Sequence, residues 1–249
     1  MAIRAAILDW DGTTFNSWPQ ALRVIRKIFA QFDYQNDTKK ETEIRRQWGY
    51  AAAEAFRSVL PEIDYELLRT AWVTKIQIAG DTETLNMVSG GQEALRELKR
   101  LDLKLTLLTN RKAKHLASNL PKSIDLTEFF SIVQTYHDYE RNDQLFIDHP
   151  CHITCQHPKP DRRAYRPTLE QLKKDFGINT HEILAVDDSL VGLAVANANN
   201  MRFVGVLTGA INTKARWMRW AKERGLTITP EQIIPSIKYL PEWIEQYDK

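Results

Sequence analysis

Asp9 and Asp11 close the apolar run Ala5-Ala6-Ile7-Leu8, and Gly12 and Thr13 follow at once. On a strand, residues i and i+2 point the same way. Both carboxylates therefore leave the strand's carboxyl end together, where open α/β sheets place their ligands. Two anions that close repel. Keeping them together calls for a divalent cation, a shared proton, or both. Gly12 permits a sharp turn or a close approach to a ligand. A strand running into a solvated Asp-Gly turn would look the same over so short a stretch, so the rest of the chain has to decide.

Three more places offer matching chemistry. Leu103–Leu108 reads as a buried strand ending in Thr109 and Asn110. Ile183–Val186 reads as another, ending in Asp187, Asp188 and Ser189. Between them Lys159 stands in His157-Pro158-Lys159-Pro160-Asp161. In a parallel sheet these strand ends converge on one crevice.

The elements that would position them alternate. Helical periodicity covers Ser89–Arg100, His115–Leu120, Thr168–Phe176, Leu190–Ala198 and Lys214–Arg224. Phe129–Gln134 and Phe203–Leu207 read as strands, Ile233–Ile237 as a short edge strand, and Pro241–Gln246 as a last helix. Residues 135–160 read as irregular and polar. The alternation predicts an α/β fold with a parallel sheet covered on both faces. Residues 16–85 read as helical throughout, with apolar positions such as Leu22, Ile25 and Phe29 at helical spacing. An insertion directly after the first strand would hang over Asp9 and Asp11.

In their order and spacing the motifs resemble the haloacid dehalogenase-like hydrolase superfamily. Leu8-Asp9-Trp10-Asp11-Gly12-Thr13 matches its first motif and Thr109 its second. Lys159-Pro160-Asp161 matches the third, although Arg162 stands where a second proline is common, and Asp187-Asp188-Ser189-Leu190-Val191-Gly192 matches the fourth. The resemblance implies a Rossmann-like core of residues 1–15 and 86–249. It also implies an α-helical cap of residues 16–85, as in the phosphoglycolate phosphatase and β-phosphoglucomutase branches.

The resemblance further implies a Mg²⁺-dependent phosphatase acting on a small phosphorylated metabolite. Asp9 would be the nucleophile, forming an aspartyl phosphate. Asp11 would be the general acid and base. Asp9, Asp11, Asp187 and Asp188 would hold the metal, and Thr109, Asn110 and Lys159 the phosphoryl oxygens. Dehalogenases of the family lack the second aspartate, since a halide leaves without a proton. A sugar phosphomutase using the same aspartates is the closest alternative. A catalytically idle binding or regulatory protein on the same fold is a more distant one.

Two regions outside these motifs carry expectations. Arg45, Arg46 and Trp48 sit where related caps read the substrate, and a guanidinium there could take a second anion. Cys151, His152, Cys155 and His157 offer thiols and imidazoles of the kind structural zinc uses. A plain polar loop is the other reading of that stretch.

Bulk properties narrow the class. The 249 residues are 43% hydrophobic and 27% charged, with a net charge of +2. That is enough apolar material for a sizeable core and too little positive charge to suggest nucleic acid. No long apolar stretch suggests a membrane span. Only two cysteines are present, too few for a disulfide scaffold. The N-terminus lacks the pattern of a signal peptide. These features lead us to expect a cytoplasmic protein, as a monomer or homodimer. Trp217 and Trp220 read as packing residues, and Trp10 is expected to point away from the aspartates into the fold.

Overall fold

The structure is a computed structural model and describes residues 2–50, 52–82, 85–137 and 147–248. The described residues include seven strands: β1 (Ala5–Asp9), β2 (Lys104–Lys112), β3 (Ile132–Tyr136), β4 (His152–Cys155), β5 (Ile183–Asp187), β6 (Arg202–Val206) and β7 (Ile233–Ile234). They form one sheet in the order β4-β3-β2-β1-β5-β6-β7, every neighbouring pair parallel. The chain builds outward from β1 through β2, β3 and β4, then returns to the other side of β1 with β5. The reversal opens a crevice beyond the carboxyl end of β1.

The pleat sorts the strand residues between two cores. Ala6 and Leu8 of β1 join Leu105, Leu107, Val133, Leu184 and Val204 on one face. That face is covered by α5 (Gly91–Arg100), α6 (Ala113–Asn119) and α11 (Leu240–Tyr247). Ala5 and Ile7 join Ile132, Ile183, Ala185 and Phe203 on the other. There α8 (Arg166–Phe176), α9 (Leu190–Ala198) and α10 (Lys214–Glu223) close the layer. The architecture is α/β and Rossmann-like. Trp217 and Trp220 are buried in the second core, and Trp10 is buried in the first, stacked on Phe15 at 3.7 Å.

Four helices follow β1: α1 (Trp18–Gln31), α2 (Thr38–Arg46), α3 (Ala52–Val59) and α4 (Tyr65–Thr82). Their apolar faces make a third core of their own, from Ile25, Ile28, Phe29, Ile44, Phe56 and Leu68. Proline at the start of α1 and the Asp37 side chain capping α2 set where these helices begin.

Local chemistry shifts several expected boundaries. Asp125 caps a short helix, α7 (Leu126–Phe129), so β3 starts later than Phe129. The stretch expected to be irregular contains β4, which pairs in parallel with β3 as an edge strand. Its residues 138–146 lie outside the described ones. Pro235 follows β7 directly and holds it to two residues. No described helix is long and apolar enough to cross a membrane.

Candidate active site

Asp9 ends β1 and is 8% exposed. Asp187 ends β5, next to β1, and Asp188 follows it. Both are almost fully buried. One carboxylate oxygen from each of these three residues lies within 4.8 Å of the others. The Lys159 ammonium enters from the far side, 2.6 Å from Asp9 Oδ1 and 2.7 Å from Asp187 Oδ2. Lys159 is itself 3% exposed and follows the rule that buried charges are paired.

Backbone geometry makes room for this packing. Gly12 has φ +70°, in the left-handed region, and a Cβ there would lie 2.5 Å from Asp188 Oδ2. At Gly209 the same atom would be 1.5 Å away. Asp188 Oδ2 accepts the Ala210 N–H at 3.0 Å. Asp187 Oδ1 accepts the backbone N–H and the hydroxyl of Ser189, and Ser189 in turn caps α9.

The electrostatics are those of a site short of positive charge. Burial, opposed by Lys159 and reinforced by Asp187 and Asp11, pushes the Asp9 carboxyl up to about 8. Burial and the charges of Asp187 and Asp9 push Asp188 well above the usual carboxylate range. Burial works against the Lys159 ammonium, but Asp187 and Asp9 hold its proton well above its usual range. Four carboxylates, Asp9, Asp11, Asp187 and Asp188, meet two cations, Lys159 and Arg111. The oxygen-only cluster could bind a hard divalent cation, which would supply the missing charge.

Asp11 stands apart from that cluster. Arg111 grips it in a two-point fork, Nε to Oδ2 at 2.7 Å and Nη2 to Oδ1 at 2.6 Å. Burial acts to raise the Asp11 pKa, but the Arg111 charge and hydrogen bonds outweigh it and lower the carboxyl below its ordinary value. Sequence reasoning passed over Arg111. The strand expected to end at Leu108 in fact runs on to Lys112, and since Asp9 pairs with Leu108 this extension carries Arg111 past the end of β1 to reach Asp11.

The other expected site residues divide. The Thr109 hydroxyl lies at the cavity and accepts the Arg111 N–H, leaving its own proton to donate. The Asn110 side chain is a latch: its amide donates to the Gly49 and Lys159 carbonyls at 3.0 Å each, and its oxygen accepts the Lys159 N–H. The side-chain amide is therefore already engaged within the protein. Trp48 lines the cavity, whereas Arg45 and Arg46 are not among its lining residues. Arg45 lies over the Trp18 ring and pairs with Glu41. Arg46 pairs with Glu223 of α10.

The zinc expectation is corrected. Among the described residues, Cys151, His152, Cys155 and His157 form no group that could hold a metal. Residues 152–155 lie on β4, where alternate side chains part to opposite faces. His152 Nε2 meets the Thr135 hydroxyl at 2.9 Å, and the Cys155 thiol donates to the His157 carbonyl.

Above the carboxylates a cavity of about 280 Å³ separates the strand ends from the α1–α4 helices. Its floor carries Asp9, Asp11, Thr109, Lys159, Asp187 and Asp188. Its roof comes from Trp48, Tyr50 and α4.

Comparison with known proteins follows the geometry. The haloacid dehalogenase-like hydrolase family matches residues 3–200. No curated protein matches the chain significantly in sequence. Solved structures share the fold at low identity. A conserved haloacid dehalogenase-like protein from Agrobacterium tumefaciens superposes with a TM-score of 0.72 at 18% identity, all of both chains being covered. A Lactobacillus plantarum protein provisionally described as a phosphoglycolate phosphatase gives 0.67 at 17%, over 98% of this chain and 100% of that one. A Thermotoga maritima protein provisionally described as a β-phosphoglucomutase gives 0.59 at 18%, over 99% and 100%.

Proposed function

The chain belongs to the haloacid dehalogenase-like hydrolases, and from that premise we propose that it is a phosphatase for a small phosphate monoester, with Asp9 as nucleophile. The observation that carries this reading is the placing of Asp9. It sits at the sheet's reversal point, on the floor of the cavity, with a buried ammonium at 2.6 Å and two further carboxylates beside it. Repulsion between a carboxylate and a phosphate dianion is the main obstacle to such an attack. A Mg²⁺ ion held by Asp9, Asp188 and the neighbouring Asp187 would screen that repulsion when bound.

The chain's own residues supply the rest. An Asp9 oxygen forms a bond to phosphorus as the bond to the alcohol oxygen breaks. Asp11 gives that oxygen its proton. Water then attacks phosphorus, Asp11 takes a proton from it, and the phosphorus–Asp9 bond breaks to free inorganic phosphate. The Thr109 hydroxyl, the Asn110 backbone N–H and Lys159 orient the phosphoryl oxygens. Arg111 keeps Asp11 ionised before substrate arrives, so the acid step requires the fork to open as a phosphoryl group enters and Asp11 to take up a proton from solvent.

Residues 16–85 act in this proposal as a cap over a core of residues 1–15 and 86–249. Their separate apolar core, to which Ala210 alone of the later chain contributes among the buried residues, supports that division. The test is release of inorganic phosphate from p-nitrophenyl phosphate, with Mg²⁺ and with a chelator. Chelation should abolish release, and Asp9→Asn should lower turnover about 10³-fold or more. Undiminished turnover by Asp9→Asn would sink the assignment.

A further inference from the structure

We propose that the alcohol portion of the substrate is apolar, an aromatic or branched hydrocarbon group rather than a sugar or polyol. This rests on the phosphatase reading and extends it to the substrate class. The two ends of the cavity differ in chemistry. Its floor consists of charged side chains that suit a phosphoryl group. The roof presents Trp48, Trp72, Val73 and Ile76, with Ala21 behind them. Trp72, Val73 and Ile76 lie on adjacent turns of α4 and so share a face.

Several polar atoms near that roof are already committed. The Gly49 carbonyl accepts Asn110. Gln47 Oε1 accepts Arg224 at 2.9 Å, and its amide donates to Glu43. The Tyr50 hydroxyl accepts Arg224 at 3.3 Å, which directs it away toward α10. Of the roof residues supplied by α4, Gln77 carries an amide and Trp72 an indole N–H, while Val73 and Ile76 are wholly apolar. On the opposite wall the Asn119 amide donates to His115 O and Ser118 Oγ. Sugar hydroxyls laid against Trp72, Val73 and Ile76 would give up water for an apolar surface, and each buried unmet hydroxyl is costly.

The roof itself gains from an apolar occupant. Trp48 meets Trp72 edge-on at 5.8 Å, and Trp72 meets Phe56 at 5.7 Å, which fixes a rigid aromatic surface. Val73 remains 37% exposed at the cavity. A hydrocarbon group laid on this surface would remove apolar area from water on both sides. The volume, just below the usual range for ligand sites, admits a phosphoryl group and one modest ring system.

The test compares three phosphates of primary alcohols, so that leaving-group chemistry is matched: 2-phenylethyl phosphate, glycerol 3-phosphate and glucose 6-phosphate. With Mg²⁺ present, kcat/KM for 2-phenylethyl phosphate should exceed the other two by at least about tenfold. Val73→Asn and Ile76→Asn should each lower kcat/KM for 2-phenylethyl phosphate, chiefly through KM, and by several-fold more than for glycerol 3-phosphate. Two positions guard against a variant that fails to fold. Preference for glucose 6-phosphate or glycerol 3-phosphate, or equal losses on all three in both variants, would overturn this inference and leave the phosphatase reading intact. Failure to release phosphate from any of them, and from p-nitrophenyl phosphate as well, would overturn both.

Discussion

The floor and the roof of the cavity are built on opposite principles. On the floor charge is set against charge: Lys159 bridges Asp9 and Asp187, Arg111 holds Asp11, and Asp188 accepts the Ala210 N–H. The roof holds aromatic rings wedged edge to face, and its polar atoms are turned toward the core. A charged floor tolerates little change, because removing one partner leaves a buried ion. An apolar roof tolerates change in proportion to the area lost. Perturbations of the floor should therefore be large and dependent on pH, and perturbations at the edge of the roof small and dependent on substrate.

Lys159→Met should give the largest effect. It leaves Asp9 and Asp187 facing each other with no cation between them. Breaking a buried pair in this way costs about 3–5 kcal/mol. The loss should be greatest near pH 8 and shrink in acid, where carboxylates escape by taking protons. Chemical denaturation at the two pH values measures it. A loss independent of pH would mean that Lys159 acts through packing rather than charge.

Metal and pH should shift stability by an intermediate amount. Asp9 binds its proton up to about pH 8 in the folded chain, and Asp188 is shifted in the same direction. The unfolded chain releases such protons near pH 4. Between these values the native state holds more protons, so metal-free stability falls as pH rises. The slope approaches about 1.4 kcal/mol per pH unit for each proton retained. On the proposed reading magnesium would displace those protons, so its stabilisation should grow over the same window. Thermal melts from pH 5 to 8 with chelator and with Mg²⁺ test the sign. A metal-free melting temperature that climbs with pH would contradict the buried-carboxylate account.

The same contrast explains what the sequence could reveal. The α/β rhythm was legible because buried parallel strands such as Ile183–Asp187 are short apolar runs with abrupt polar ends. Asp9 and Asp187 stand at such ends and Thr109 follows the apolar run of β2, so their convergence followed from sheet topology. β4 escaped notice because an edge strand of four residues, mixed in polarity, carries almost no periodic signal. Arg111 escaped because a basic residue after an apolar run looks like any solvated charge until β2, continuing to Lys112, carries it to Asp11. The roof was the least legible part. Trp48 and Trp72 meet only when the loop after α2 packs on α4, and no local spacing encodes that. The neighbouring arginines, chosen for their charge, turned out to be engaged with other residues.

Arg46→Ala should therefore have the smallest effect, and it is the sharpest test of where the roof ends. Arg46 reaches Glu223 at 3.0 Å, with both side chains roughly a third or more exposed. Solvent screening limits such a pair to about 1 kcal/mol at most. The truncation also leaves the stronger latch in place, since Arg224 donates to the Arg46 carbonyl, the Gln47 side chain and the Tyr50 hydroxyl, all of which remain. The expected result is a melting temperature lowered by no more than about 4 °C. The ratio of kcat/KM between 2-phenylethyl and glycerol 3-phosphates should not change. If that ratio moves while Val73→Asn leaves it alone, recognition runs through the guanidinium and its contacts with α10, and the apolar roof is only scaffolding.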